Sequence, residues 1–573
     1  MLEVSLLWPL VTGLIATFAI EALLRPAPTP FWQRGMAATA MHVGSWLLLF
    51  GLFTLVLQRP WFAVVFLLSL QLVIVQSSNT KSSTLNEPFI CHDFEYFWDA
   101  LRHPRLYVPF FGVTLAILAS CVGAAAIGAF LIWEPSLVSR HGAGALFVAT
   151  LSLIAVGSAL IVAVKPWRTS ITLHPAQDMH ALGLFASLWA YGVALMRARP
   201  PRPEQSPYYP GADQGADNQT DHASAKVNAQ TNTPSADSPN VVLVQSESFF
   251  DPRSWCDEIA PSILAAFDTL RAQADIAGTL SVPAWGANTV RTECAVLTGI
   301  APSAWGALQF NPYRTLARHP LPSIASAFKA AGYRTVCVHP YPETFYLRHR
   351  VMPALGFEQF VDLQAFDAAT DRHGQYIGDA AVARKVGRLL EDDDNRPLFV
   401  FIITMENHGP LHLEAPQAEA AQQTLPKAHW PLAEHQRDLA VYLHHLREAD
   451  RMMAEVTKAL SSRSRPGLLG WYGDHVPILP AAYAHYGAPA GTTPYVIWST
   501  QHKGTERSRP FTTQQLSAQE LGAVLLERAL GDVPNAAMMR DAPASDLMKS
   551  GVIKSNAITN DAFKAEPEFQ EQE

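Results

Sequence analysis

Glu247 closes the apolar run VVLVQSE, and Asp474 and His475 close a second one, LLGWYGDH. Between them lies NTVRTECAVLTG, which supplies two hydroxyls, Thr289 and Thr292. A carboxylate, a hydroxyl, an Asp and a His form a donor set that holds one divalent cation and activates an oxygen nucleophile. Each residue type also has a plainer use. A carboxylate at a strand end caps a helix or pairs with an arginine, an Asp-His dipeptide sits in a loop, and Thr292 can serve as an N-cap. Their shared placement at the ends of apolar runs favours the chemical reading.

The runs that carry these residues alternate with amphipathic stretches. NVVLVQSE is followed by SILAAFDTLRAQA; LPSIASAFKAAG leads into YRTVCVHP, DAAVARKVGRLLEDD into PLFVFIITMENH, and DLAVYLHHLREADRMMAEVTKAL into PGLLGWYGDH. This alternation predicts an open, mostly parallel sheet with helices on both faces. Ligands of such sheets bind beyond the carboxyl ends of the strands. Glu247, His408, Asp474 and His475 stand there, whereas His444, His445 and His485 are read as surface residues.

The first 200 residues have another character. Mean hydropathy over the chain is +0.08 with 16% charged residues, too apolar for a wholly soluble chain, and most of the excess precedes residue 200. A bilayer core takes about 20 apolar residues, and stretches near 3–24, 37–57, 61–77, 108–132 and 144–164 meet that length. The first lacks the basic leader and small-residue cleavage site of a signal peptide. His180 to Met196, with Trp189, Tyr191 and the following Arg197 and Arg199, is either a sixth span or an interfacial helix. FEYFWDAL, in the loop before the fourth stretch, also has an interfacial pattern. Pro200 to Pro239 is poor in large aliphatic residues and reads as a flexible linker.

The expected organisation is a transmembrane domain at 1–170, a juxtamembrane segment at 171–199, a linker at 200–239, an α/β domain at 240–535 and a disordered tail at 545–573. The fold class is an N-terminal α-helical transmembrane bundle followed by an extracytoplasmic α/β domain. Five spans starting inside place Arg25, Arg34, Lys81, Arg102, Arg105, Lys165 and Arg168 outside, against the positive-inside tendency; six starting outside satisfy it. Both arrangements export the α/β domain. A net charge of -8 offers no basic field for nucleic acid. Five cysteines without a CxxC exclude a disulfide framework or zinc cluster, and leave room for one bridge, for instance Cys256 to Cys337.

Five motifs in order, VQSESFF, TVRTEC-AVLTG, ETFYLR, ITMENHGP and WYGDH, give the chain a likeness to a known family. It resembles lipoteichoic acid synthases and related phosphoglycerol transferases of the alkaline phosphatase/sulfatase superfamily. The resemblance implies one divalent cation, Mn²⁺ first with Zn²⁺ or Mg²⁺ as alternatives, held by Glu247, Thr289, Asp474 and His475, with Thr289 as the nucleophile. It also implies a headgroup pocket at Tyr346, Arg348 and His408. The family has a Trp where this chain has Tyr346, which bears on the headgroup. Arg348 suits a phosphate because its planar fork donates two parallel hydrogen bonds; Arg350 or an ordinary ion pair is the plainer reading.

The expected function is transfer of a phosphoglycerol unit from phosphatidylglycerol to an extracytoplasmic glycan through a phospho-threonine, at the bacterial inner membrane. One alternative is a phosphoethanolamine transferase acting on lipid A or another envelope glycan. Those relatives usually carry several disulfides, which this domain's three cysteines do not supply. From a different class comes an inactive metal-binding scaffold of envelope assembly. A sulfatase activity is disfavoured, because Cys294-Ala295-Val296-Leu297-Thr298 lacks the Pro and Arg of the Cys/Ser-x-Pro-x-Arg signature.

Overall fold

The computed structural model describes residues 2–95, 113–210, 237–392, 394–501 and 513–531. Among the described residues, five helices are long and apolar enough to cross a membrane: α1 (Leu2–Glu21), α2 (Met36–Leu57), α3 (Pro60–Leu85), α4 (Val113–Trp133) and α5 (Ala143–Ala163). The chain is thus a multi-pass membrane protein. Close approach of α2 and α5 depends on small residues, as is usual where lipid supplies no hydrophobic drive between helices. A Cβ on Gly157 would lie 2.6 Å from the carbonyl oxygen of Gly44.

The sixth apolar stretch forms no helix of spanning length among the described residues. It folds as α6 (Pro175–Leu182) and α7 (Leu184–Arg197), and α7's 14 residues reach only about 21 Å. Five crossings would put the N-terminal end of α1 and the α/β domain on opposite sides of the membrane. The positive charges that argued against this arrangement are partly neutralised in place. Arg34 Nη1 lies 2.7 Å from Glu21 Oε2, and Lys81 Nζ lies 2.5 Å from Glu87 Oε1 and 2.8 Å from Asp93 Oδ2. FEYFWDAL beyond Glu95, most of the linker (211–236) and the tail at 545–573 lie outside the described residues.

The second half is built on an eight-stranded sheet ordered β10-β2-β9-β8-β1-β7-β3-β4. Its strands are β1 (Asn240–Ser246), β2 (Ile276–Ser281), β3 (Arg334–Val338), β4 (Gln359–Val361), β7 (Leu398–Ile403), β8 (Gly467–Gly473), β9 (Thr493–Ser499) and β10 (Thr513–Ser517). β9 alone runs antiparallel to its neighbours. A separate two-stranded hairpin pairs β5 (Arg372–His373) with β6 (Tyr376–Ile377).

The continuous apolar runs are explained by burial on both faces. Val242, Val244, Val400, Ile402, Leu469 and Trp471 pack on one face, under α8 (Ala265–Gln273), α10 (Asp379–Glu391) and α11 (Glu434–Ser461). Val241, Leu243, Phe399, Phe401, Leu468 and Tyr472 pack on the other, under α9 (Thr289–Thr298) and α12 (Ala518–Leu530). Cys256 and Cys337 belong to opposite faces and are both free, so the bridge considered from the sequence cannot form.

The start of the presumed linker is docked rather than free. Ser206 Oγ donates to the carbonyl oxygens of Thr298 (2.8 Å) and Pro322 (3.1 Å), and Tyr208 is buried. A second contact joins the membrane half to α9. Arg291 donates to both carboxylate oxygens of Glu87 (2.7 and 3.1 Å) and lies 5.0 Å from the Phe310 ring centroid. Burial opposes the charge of Glu87, yet Arg291 and Lys81 hold its carboxyl far below the usual carboxylate range.

Candidate metal and catalytic centre

Register makes the site. Ser246 of β1 pairs with Gly473 of β8, so Glu247 and Asp474 leave adjacent strands at the same height. Gly473 permits the turn there, since a Cβ would lie 1.9 Å from the carbonyl oxygen of Phe249. Ser248 takes a left-handed φ of 53°. Its N–H donates to Asp474 Oδ1 and its hydroxyl to Glu247 Oε1, both at 2.9 Å. The Glu247 N–H donates to Thr404 Oγ1 (2.9 Å), just past β7. Thr292, the rival hydroxyl, donates to the Asp474 carbonyl (2.9 Å) and so pins α9 to the end of β8.

Glu247, Asp474 and His475 present ligand atoms within 4.8 Å of one another. His475 Nε2 lies 3.2 Å from Asp474 Oδ2, 3.6 Å from Glu247 Oε1 and 3.4 Å from Thr289 Oγ1. His475 Nδ1 is 3.0 Å from the Val476 carbonyl oxygen. That oxygen only accepts, so Nδ1 carries the hydrogen and the Nε2 lone pair faces the cluster. Asp474 Oδ2 is buried with no hydrogen-bond partner among the described residues. Burial, reinforced by Asp474, pushes the Glu247 carboxyl up to about 8. Two crowded carboxylates, one orphaned oxygen, an imidazole lone pair and a hydroxyl fit a divalent cation of the Zn²⁺ or Mn²⁺ kind.

Thr289 opens α9, after Asn288 in the left-handed region (φ 66°). The first N–H groups of a helix lack intrahelical partners and favour an anion. One turn further on, Glu293 accepts from the Tyr313 hydroxyl (2.6 Å) and from Arg348 Nε (3.3 Å) and Nη2. Arg348 Nη1 lies 3.1 Å from His339 Nε2. The Arg348 fork, expected to bind phosphate, is therefore buried against Glu293 and holds α9 in place. Tyr346 lies under it, with the guanidinium carbon 5.4 Å from its ring centroid.

His408 follows β7. Its Nδ1 is 2.6 Å from the Gly409 carbonyl oxygen and 3.4 Å from the Tyr376 hydroxyl. Nδ1 therefore carries the hydrogen, and Nε2 is left to accept. Burial draws the His408 ring below its ordinary range and keeps it neutral.

A second cluster escaped the sequence reading. His373, Glu406 and His445 also offer ligand atoms within 4.8 Å of one another. His445, expected at the surface, is buried. Its position on α11 between Val441 and Ala449, one turn away on each side and both buried, is the signal that marks it as inward-facing.

A mostly parallel α/β sheet with a metal-competent cluster and a helix-opening hydroxyl at its strand ends is the arrangement of the alkaline phosphatase/sulfatase superfamily. The chain belongs to the sulfatase family, whose model matches residues 239–526. Capsular polysaccharide biosynthesis protein RkpI of Rhizobium meliloti (strain 1021) is 29% identical over 248 residues, 42% of this chain and 42% of that protein. The chain spans less than half the length of the curated relatives it matches. Among solved structures, phosphoglycerol transferase GacH of Streptococcus pyogenes, bound to sn-glycerol-1-phosphate, has 18% identity, a TM-score of 0.41, and coverage of 55% of this chain and 86% of that one. Lipooligosaccharide phosphoethanolamine transferase A (EptA) of Neisseria meningitidis has 16% identity, a TM-score of 0.49, and coverage of 91% and 93%. Family and clusters together support metal-assisted catalysis next to a membrane.

Proposed function

We propose that this chain is a membrane-anchored phosphotransferase that moves a phospho-alcohol headgroup from a membrane phospholipid to an extracytoplasmic glycan. The observation that carries the reading is the approach of Thr289 Oγ1 to the Glu247–Asp474–His475 cluster at the start of α9. A divalent cation held by Glu247, Asp474 and His475 would make the Thr289 hydroxyl a better nucleophile and offset phosphate charge. Thr289 Oγ gives up its proton and forms a bond to the phosphodiester phosphorus as the P–O bond to diacylglycerol breaks, and the leaving diacylglycerol oxygen takes that proton up. The acceptor hydroxyl then attacks phospho-Thr289 as the Thr289 Oγ–P bond breaks, and its proton passes by way of His408 Nε2 to the departing Thr289 Oγ, which restores both groups. Arg348 acts by keeping α9 and its opening hydroxyl in place. The anchor keeps enzyme and donor in one membrane, and the capsular polysaccharide role of RkpI supports a glycan acceptor.

The headgroup is phosphoglycerol or phosphoethanolamine. The free cysteines favour the first. The field favours the second: burial and Tyr341 act first on the Tyr376 hydroxyl beside His408, but the Glu414 carboxylate, held ionised, also reaches it, and a negative field draws an ammonium. The field weighs more, since it acts on the headgroup itself. The test is mass spectrometry of the full-length protein with Mn²⁺ or Zn²⁺ after incubation with phosphatidylethanolamine or phosphatidylglycerol. A phosphoethanolamine adduct on Thr289, absent from Thr289→Ala, is expected. A glycerophosphate adduct alone would reverse the headgroup choice, and no adduct from either lipid would overturn the transferase reading.

A further inference from the structure

We propose that His373, Glu406 and His445 form a second site for a divalent d-block cation, distinct from the Glu247–Asp474–His475 centre. Three separate elements bring these side chains together: the β5–β6 hairpin, the segment after β7, and the middle of α11. His373 Nδ1 is 2.7 Å and His445 Nδ1 is 3.0 Å from the same oxygen, Glu406 Oε1.

The far side of each ring is already engaged. His445 Nε2 lies 3.0 Å from Glu414 Oε2, and His373 Nε2 lies 3.4 Å from His444 Nε2. A metal-bound histidine almost always gives its other ring N–H to a carboxylate, carbonyl or water, and the His445–Glu414 contact has that form. With the far nitrogens protonated, two Nδ1 lone pairs and a carboxylate oxygen converge on one point. A cation, or extra protons on the rings, must fill it.

A fourth donor stands beside the three. Asp379 gives its N–H to Glu406 Oε2 (2.5 Å), and its own Oδ1 is buried without a hydrogen-bond partner among the described residues. Two imidazoles and two carboxylates suit Zn²⁺, Mn²⁺ or Fe²⁺. The His373 side chain is 41% exposed, which leaves an entry path.

The site has a consequence for the neighbouring centre. His373 is three residues before Tyr376, whose hydroxyl meets His408 and the Gly409 carbonyl (3.1 Å). Glu406 is two residues before His408. A cation here joins the hairpin to the end of β7 and fixes the wall that carries His408.

The test is metal stoichiometry of the full-length protein in detergent, stripped with chelator and reloaded with Zn²⁺ or Mn²⁺ alone. Two ions per chain are expected in the wild type, one in Asp474→Asn and one in His373→Gln. Combining the two substitutions should leave none. His373 is half-exposed, so its variant should fold, and thermal unfolding checks this. In the Asp474→Asn background, Glu414→Gln should weaken the remaining site by about 10–100-fold without removing a ligand. One ion in the wild type with none in Asp474→Asn would overturn the proposal and assign the convergence to protons. So would two ions retained in His373→Gln.

Discussion

The two histidine–carboxylate clusters share one end of the sheet yet are built in opposite electrostatic senses. Glu247 and Asp474 leave adjacent parallel strands in register, so the sheet forces two carboxylates together and leaves Asp474 Oδ2 unpartnered. In the other cluster both oxygens of Glu406 are answered, Oε1 by His373 and His445 and Oε2 by the Asp379 N–H, and Asp379 Oδ1 is the one left open. When no cation is bound, burial opposes the charge of Glu406, but hydrogen bonds from His373 and His445 hold its carboxyl at about 2. Burial likewise opposes a proton on His445, which Glu406 and Glu414 nonetheless retain up to about 9. A hairpin, a strand end and a helix can adjust to one another, whereas two strand ends fixed by the ladder cannot. The rigid cluster suits chemistry at some cost in stability, and the adaptable one suits cohesion.

Substitutions that remove one carboxylate should separate the two senses most strongly. Glu247→Gln is expected to lower turnover by at least about 10³-fold, measured as headgroup transfer. The same variant, stripped of metal, should melt higher than the stripped wild type above about pH 4.5, because folding no longer has to raise a carboxyl toward about 8 against burial and Asp474. Thr289→Ala should lose turnover to a similar extent while keeping its metal stoichiometry, which separates nucleophile from ligand. Glu406→Gln should do the reverse of Glu247→Gln. It breaks a buried ion pair and should cost about 3–5 kcal/mol of stability in denaturant unfolding. A Glu247→Gln variant that melted lower than wild type would show that the register-imposed repulsion is not felt.

A smaller effect is expected where the membrane half meets α9. Glu87 has a folded-state value depressed below its ordinary 4.5. Its contribution is therefore fully present above about pH 4.5 and is lost as the pH falls below that range. Thermal midpoints recorded from pH 7 downward should fall for the wild type, with a smaller fall over the same window in Glu87→Gln. Equal slopes would show that the Arg291–Glu87 contact does not contribute.

The difference between the clusters also explains what the sequence could show. Glu247, Asp474 and His475 each end an unbroken apolar run, and strands buried on both faces read clearly as such runs. Adjacent parallel strands then bring their ends together without further information. His373, Glu406 and His445 come from a two-residue strand, a loop and a helix interior, so only tertiary packing reveals their meeting. His445 was hidden further by its neighbours in HHLREAD, whose charges suggest a solvated face, although α11 buries that stripe. The sixth apolar stretch stays open in the sequence, between a span and an interfacial helix, for a related reason. Hydropathy recorded its character but not the break at Gly183, where φ is 75°, that divides it into two helices too short to span.

The smallest effect distinguishes the two hydroxyls of α9. Thr289 and Thr292 are one turn apart in a helix, so their side chains occupy neighbouring positions on one face. The sequence alone leaves either as a nucleophile. In the structure Thr292 Oγ1 donates to the Asp474 carbonyl and is fully buried, while Thr289 Oγ1 faces His475 Nε2. Thr292→Val preserves shape and removes only that donor, which should cost about 1 kcal/mol of stability. Because the lost bond holds α9 to the end of β8, turnover should fall by a small factor through misplacement of Thr289. The headgroup adduct should remain on Thr289. Loss of the adduct in Thr292→Val, with folding intact, would transfer the nucleophilic role to the buried hydroxyl and break the reading of α9.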